Sequence, residues 1–314
     1  MSTIIPDLET LELVIIGGGP AGMSAALVAG RSLVNTAIIN AESPRNAVTS
    51  ASHGFFTRDG AHPIELMETA KTQLAGYDAV QYINDTVTST RRIPAGFEVV
   101  LSGGSVLSTR RLVIATGYTD DLNLLGLAGI EAVYGKSVYP CVFCDGFEHR
   151  NERLALFGGE MAIHYAPMIR LWSKDLVVFA NGAPIEPEAL NELRSHDVPV
   201  FLEPIRSLEA HHGRLIAVEL ESGERIERDA GFISDEYSHP TTTFAQSLGV
   251  TSSPTDWGTT ALDISEAGAT NVAGLYVVGD AKTGFSGIGA AAAQGAECVE
   301  TIVHEIATQR WNQS

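Results

Sequence analysis

With 38 acidic against 20 basic side chains, the 314-residue chain carries a formal charge of −18, which argues against nucleic acid, whose phosphates need a basic surface. Three cysteines are too few for a secreted disulfide scaffold, while 45% hydrophobic residues supply ample core for the two domains that this length predicts. Residues 1–12 hold no basic leader and no run approaches the ~18 apolar residues of a membrane helix, so a soluble, cytoplasmic protein that meets its partners in solution is expected.

Leu11–Ile16 opens the chain as a short apolar run suited to a buried parallel strand. Gly17-Gly18-Gly19-Pro20-Ala21-Gly22 follows at once and leads into an Ala-rich helical segment reaching about Leu33. This is G-x-G-x-x-G in strand–turn–helix context. Gly17 permits the tight turn, Gly19 lets backbone approach a pyrophosphate, and Gly22 lets helix pack on strand, with Pro20 and Ala21 between them. The next strand, Thr36–Ile39, runs into Asn40 where a carboxylate would take the ribose hydroxyls. Asn40 holds a ribose less strongly, and Glu42 is the substitute acid. Ser43–Asn46 reads as a turn that places Arg45 and Asn46 toward adenine or phosphates, with a solvated surface arginine as the competing reading. His53–Gly60 has no periodicity and is assigned only to a loop, ahead of an amphipathic helix near 63–76.

From Ala79 to Gly117 short alternating runs, Val80–Ile83, Phe97–Leu101 and Arg111–Ala115, are broken by Pro94–Gly96 and Ser102–Gly104. They predict a small antiparallel excursion returning to the main sheet. It ends in Ala115-Thr116-Gly117, small enough for backbone to meet a nucleotide, and Val87 within it completes this part of the cofactor-binding set.

Tyr139–Glu148 holds the chemistry. Cys141 and Cys144 form a C-x-x-C pair whose sulfurs can close a small ring, and a helix N-terminus at this point would favour the thiolate. Pro140 suits such a start, because a proline there forfeits no helical hydrogen bond. Asp145 follows directly and can shuttle the proton that thiol–disulfide exchange moves. Zinc would need two further ligands, and His149 and His164 lie at no common finger spacing, so no metal site is expected. An inert buried pair is the other bland reading.

A second β-α-β pattern begins near Arg153, with strands Leu154–Phe157 and Leu176–Phe179, a turn Gly158–Ala162 and a helix over 163–172. Aligned on Ala162, its first glycine position falls on Phe157, and Ala180-Asn181-Gly182 supplies neither an acid for a ribose nor arginines for a 2′-phosphate. The fold of a nucleotide domain is expected there with its ligand contacts eroded. A helix at 187–196 and strands up to Phe232–Ser234 continue it. Thr270–Asp280 is an apolar strand ending in Gly279-Asp280, which puts a carboxylate at the sheet edge where dinucleotides bind, and Ile288–Ile306 reads as a long helix with Cys298 packed inside it.

The set Gly17–Gly22, Ala115–Gly117, Cys141-x-x-Cys144-Asp145-Gly146 and Thr270–Asp280, in this order across nearly the whole chain, resembles the low-molecular-weight thioredoxin reductase family. The resemblance implies an α/β fold of two Rossmann-like, three-layer ββα nucleotide-binding domains, the second inserted into the first: 1–118 and 245–314 for FAD, 119–244 carrying the C-x-x-C. It implies bound FAD, with the N-terminus of the 288–306 helix aimed at the flavin's pyrimidine edge, and a homodimer. By the same resemblance Cys144 faces the flavin, Cys141 exchanges with substrate and Asp145 moves the proton. The missing NADPH contacts resemble a branch of gliotoxin- and holomycin-type dithiol oxidases, which oxidise a small dithiol and pass electrons from FAD to oxygen. That branch commonly has histidine after the pair, whereas Asp145 is the reductases' residue. The expectation is an FAD-dependent thiol–disulfide oxidoreductase, running as a dithiol oxidase with O2 as acceptor. The alternatives are a reductase of a thioredoxin-like protein fed by NADPH or ferredoxin, and a catalytically silent flavoprotein.

Overall fold

Leu11–Ile16 is the middle of a seven-stranded sheet because both its faces are apolar, with Leu13, Val14 and Ile15 fully buried. It pairs in parallel with Thr36–Asn40 and Val106–Ile114, to which Val80–Asn84 and Leu275–Val277 add, also in parallel. Within the sheet only Gly96–Leu101 runs against the others, pairing antiparallel with Val106–Ile114 on one side and with Val87–Ile93 at the edge on the other. Val80–Ile83 is therefore an edge strand of the parallel sheet and no part of the antiparallel excursion. Val87–Ile93 takes its place there, a strand whose polar, largely exposed Thr-Ser-Thr-Arg-Arg stretch gave no apolar alternation to read. One face packs on Pro20–Arg31 and Gly287–Gln313 through Leu13, Ile15, Ala25, Val299 and Ile302, the other through Val14, Val99 and Leu112. The two helices touch at Gly295, where a Cβ would stand 2.0 Å from Ala21 O.

A computed structural model describes residues 11–234, 237–255 and 259–313; the expected outer domain limits, residues 1 and 314, lie outside these. The chain divides into two compact units. The sheet above belongs to the unit made of residues up to Pro44, Ile64–Thr119 and Pro240 onward, and the other unit is Arg45–Pro63 with Asp120–His239.

The second unit has a parallel sheet in the order Val200–Phe201, Leu176–Phe179, Leu154–Phe157, Ala230–Ile233, Val138–Tyr139. Helices Ala162–Ile169 and Pro187–Ser195 cover one face through Ala162, Ala166, Ile169 and Leu193. An antiparallel meander of Ile205–His211, Arg214–Leu220 and Arg225–Glu227 covers the other through Leu208, Leu215 and Val218. Each unit is thus a Rossmann-like ββα sandwich, and the second is inserted into the first in sequence. The segment 45–63, assigned from sequence to the first domain, groups with the second unit. Its contacts decide this: Arg45 makes a bidentate pair with Asp120 at 2.6 Å, and Val48 fills the space beside Gly135. A stretch without apolar periodicity carries no sign of which core it serves. Among the described residues no helix is long and apolar enough to cross a membrane.

Candidate active site

In the first unit the carboxyl ends of three parallel strands bring Gly17, Ala115–Gly117 and Gly279 to one edge. Gly17 has φ +109°, and a Cβ on it would meet Ala115 O at 2.2 Å; one on Gly22 would meet Gly17 O at 1.9 Å. Gly19 differs: a Cβ there would meet nothing within 4 Å. The turn is closed on its protein side and open where a ligand's backbone would lie. Gly19 caps the Pro20–Arg31 helix without a side-chain hydrogen bond and no acid occupies the first turn, so its N–H groups are left for an anion. This cradle fits the pyrophosphate of a dinucleotide.

Around it, Asn40 donates through Nδ2 to Tyr82 Oη at 2.7 Å and accepts from Glu42 N at 3.2 Å. The Glu42 carboxylate accepts from Lys71 at 2.7 Å and Asn84 at 2.8 Å, and these contacts, Lys71 first, hold it below the usual carboxylate range. Thr116 Oγ1 donates to Thr241 O at 2.7 Å, and Thr241 N to Gly117 O at 2.9 Å. Asp280 Oδ1 accepts from Ser286 N and Oγ. Val87 is buried opposite Leu101 in the core. Arg45 and Asn46 group with the second unit. Arg45 is committed to Asp120 in the second unit, and Asn46 O accepts from Thr49. Cys298 is fully buried, and burial pushes its thiol up to about 12.

In the second unit Cys141 and Cys144 form a disulfide with Cα atoms 5.4 Å apart. The Val138–Tyr139 strand delivers Pro140 and then Cys141, which caps the single-turn helix Val142–Asp145 and accepts from Cys144 N at 3.1 Å through Sγ. Pro140 thus precedes the cap, and a one-turn helix adds little dipole. Cys141 is buried and Cys144 half-buried, while Phe143 between them is exposed and edge-on to Trp172 at 5.9 Å. Asp145 ends the turn. Burial pushes its carboxyl up to about 7, His53 pulls it down, and Glu148 pushes it up again. Sequence reasoning missed His53, which stands in the unassigned loop with Nε2 3.7 Å from Glu148 and Nδ1 3.6 Å from Asp59.

The second glycine turn differs from its sequence reading. Gly158 N donates to Phe179 O at 3.1 Å as Gly17 N donates to Ile39 O at 2.8 Å, so Gly158, and not Phe157, takes the first glycine position. Phe157 ends the strand and is buried against Phe179 at 5.8 Å. Counting from Gly158, exposed Glu160 takes the place of Gly19 and Ile163 that of Gly22. Asn181 is committed as well, donating to Leu125 O at 2.9 Å and accepting from Ile205 N at 2.8 Å.

Two nucleotide-type sandwiches, one with an intact glycine cradle and one bearing a C-x-x-C disulfide, define the class of two-domain flavin disulfide oxidoreductases. The chain belongs to the pyridine nucleotide-disulphide oxidoreductase family, whose model matches residues 11–295, and FAD is its cofactor. It is 30% identical to thioredoxin reductase tcpT of Claviceps purpurea over 55% of this chain and 56% of that one, and 28% identical to thioredoxin reductase aclD of Aspergillus oryzae over 71% and 73%. The chain spans about half the length of the first curated relatives it matches, 56% and 44%. Among solved structures it resembles HlmI at 28% identity and TM-score 0.90, covering 98% of this chain and 96% of that one. TrxB of Bacillus anthracis matches at 32% and 0.88, covering 96% and 99%. These matches bear out the resemblance to low-molecular-weight thioredoxin reductases and their gliotoxin- and holomycin-type branch.

Proposed function

We propose that the protein oxidises a small dithiol to a disulfide, with oxygen as the final electron acceptor and hydrogen peroxide as the second product. Gly17, Gly19 to Gly22, Glu42, Thr116, Gly117, Gly279 and Asp280 are the residues that would hold FAD. A substrate thiolate attacks one sulfur of Cys141–Cys144 and opens it to a mixed disulfide; the second substrate thiol then displaces the protein sulfur. Substrate leaves as a disulfide, two electrons poorer, and the pair remains as two thiols. Asp145, poised near neutrality, takes up a proton released in the exchange. FAD, when bound, supplies the two-electron acceptor that returns the pair to its disulfide. Exposed Phe143 beside the pair suits a small apolar substrate.

The direction rests on one observation. Glu160 occupies, in the second turn, the place of Gly19 in the first, so a nicotinamide dinucleotide would bring its pyrophosphate against a carboxylate. The second reading, a reductase of a thioredoxin-like protein fed by NADPH or ferredoxin, is favoured by Asp145 and by the names of the relatives. A homodimer in the cytoplasm is part of the same proposal. Mixing the purified flavoprotein anaerobically with dithiothreitol, NADPH or NADH decides between them. Dithiothreitol bleaches the flavin, air restores it with peroxide released, and NADPH is slow; fast bleaching by micromolar NADPH would leave the reductase reading standing.

A further inference from the structure

Dinucleotides meet this kind of sheet with an acid on the ribose at the carboxyl end of the second strand, and Thr36–Asn40 ends there in an amide. The amide is held from three sides. A Cβ on Gly18 would stand 2.3 Å from Asn40 Cγ, so the side chain lies directly on the glycine turn. Glu42 N donates to Asn40 Oδ1 at 3.2 Å, and because a main-chain N–H can only donate, this contact fixes which end of the amide is oxygen. The other end, Nδ2, donates to Tyr82 Oη at 2.7 Å. Tyr82 stands opposite Ile38 in the neighbouring parallel strand, and Ile38 and Asn40 share one face because side chains alternate along a strand. The Pro63–Leu74 helix closes the group: Lys71 Nζ lies 4.6 Å from the Tyr82 ring centroid and donates to Glu42 Oε1 at 2.7 Å.

We propose that the Asn40 amide, locked by Tyr82, is the ligand of the adenosine ribose of FAD, and that Tyr82, Lys71 and Glu42 are positioning residues that hold it. A carboxamide has two N–H donors and two acceptor lone pairs. The protein takes one N–H, through Tyr82, and one lone pair, through Glu42 N. One donor and one acceptor are left, side by side on a plane that cannot turn, and two neighbouring ribose hydroxyls are their complement. The Glu42 carboxylate is differently placed. Lys71 occupies Oε1, with the Tyr82 hydroxyl at 3.4 Å, and Asn84 Nδ2 donates to Oε2 at 2.8 Å. Glu42 therefore serves FAD through its main-chain N–H, which fixes Asn40, and through its grip on Lys71. The assignment holds for either direction of electron flow, since both use the same flavin.

The test is competitive exchange on the full-chain holoprotein, equilibrated with an excess of equal amounts of FAD and of its analogue built on 2′-deoxyadenosine. After gel filtration the bound flavins are released and their ratio is read by chromatography. That ratio is taken within one protein, so a variant that is merely less stable leaves it unchanged. Wild type is expected to prefer FAD by about tenfold, the worth of one neutral hydrogen bond to the 2′-hydroxyl. Asn40→Ala should erase the preference. Tyr82→Phe keeps the ring beneath Lys71 and removes only the hydroxyl, and it should erase most of the preference as well, because the amide is then free to turn. Glu42→Gln should weaken both flavins alike and leave their ratio as in wild type. Equal binding of the two flavins by wild type would overturn the proposal, as would a full preference retained in Asn40→Ala or in Tyr82→Phe. A preference lost in Glu42→Gln but kept in Tyr82→Phe would make the carboxylate the ribose ligand and overturn it in the same way.

Discussion

The chain builds the same strand–turn–helix twice and equips it for opposite purposes. After Leu11–Ile16, a three-glycine turn with a vacant position at Gly19 leads into a 12-residue helix that starts on proline. After Leu154–Phe157, Gly158 repeats the first hydrogen bond, but Glu160 and Met161 follow and the helix is 8 residues long with Pro167 inside it. Backbone hydrogen bonds and the buried strands suffice to make the sandwich; the ligand depends on two or three positions that stability does not need. On the function proposed above, the second fold has outlived its nucleotide site and serves as a platform for Cys141–Cys144.

The largest test of that division is at the cysteines. Replacing either Cys141 or Cys144 with serine is expected to cut dithiol oxidation by at least ~10³-fold while leaving flavin bound, since the platform and the cradle are separate. Cys141→Ser should in addition give a long-wavelength charge-transfer absorbance that Cys144→Ser lacks; equal spectra would remove the assignment of Cys144 as the flavin-side sulfur. Next in size, Gly19→Glu copies the second turn into the first. It sets a carboxylate against the pyrophosphate and should weaken FAD by on the order of 3 kcal/mol, a hundredfold or more, read as colourless protein after gel filtration.

A smaller effect concerns Asp145. Burial raises its carboxyl to about 7 in the folded protein against ~4 in an unfolded chain, so the folded state binds this proton more tightly. The stabilisation is complete below about pH 4 and is lost as pH rises through about 7. Asp145→Asn cannot ionise, so relative to wild type it should gain on the order of 1–3 kcal/mol between pH 5 and pH 8, measured by urea denaturation of the holoprotein at the two pH values. A constant difference would mean that Asp145 titrates normally.

Much of this was legible in the sequence for one reason: buried parallel strands are unbroken apolar runs, as in Leu11–Ile16, Leu154–Phe157 and Leu176–Phe179, and the glycine turn stands directly after one of them. Val87–Ile93 escaped because its side chains are mostly solvated and polar. The long helix was read only as far as Ile306, where its apolar stripe ends, yet it runs to Gln313 because nothing there breaks it. The offset at Phe157 is a register error, and only the Gly158–Phe179 hydrogen bond exposes it. His53 could not have been found. Its neighbours Asp59 and Glu148 come from two distant stretches, and its own loop has no pattern at all.

The finest test asks how much of the second turn's failure belongs to Glu160 alone. Glu160→Gly would restore the small residue at the Gly19 place and remove one charge facing a pyrophosphate. Met161 would remain at the cap and Ile163 at the third glycine position, and Asn181 would still be tied to Leu125 O and Ile205 N instead of meeting a ribose. No arginine would be gained for a 2′-phosphate, a charge-assisted contact of about 1.5–3 kcal/mol. The expected gain in NADPH affinity is therefore less than about tenfold, starting from binding too weak to matter, and the rate of flavin bleaching by millimolar NADPH should rise no further than that. If this single substitution instead brought NADPH reduction to catalytic rates, the second unit would be a nucleotide site held shut by one side chain, and the contrast between the two turns would rest on Glu160 alone.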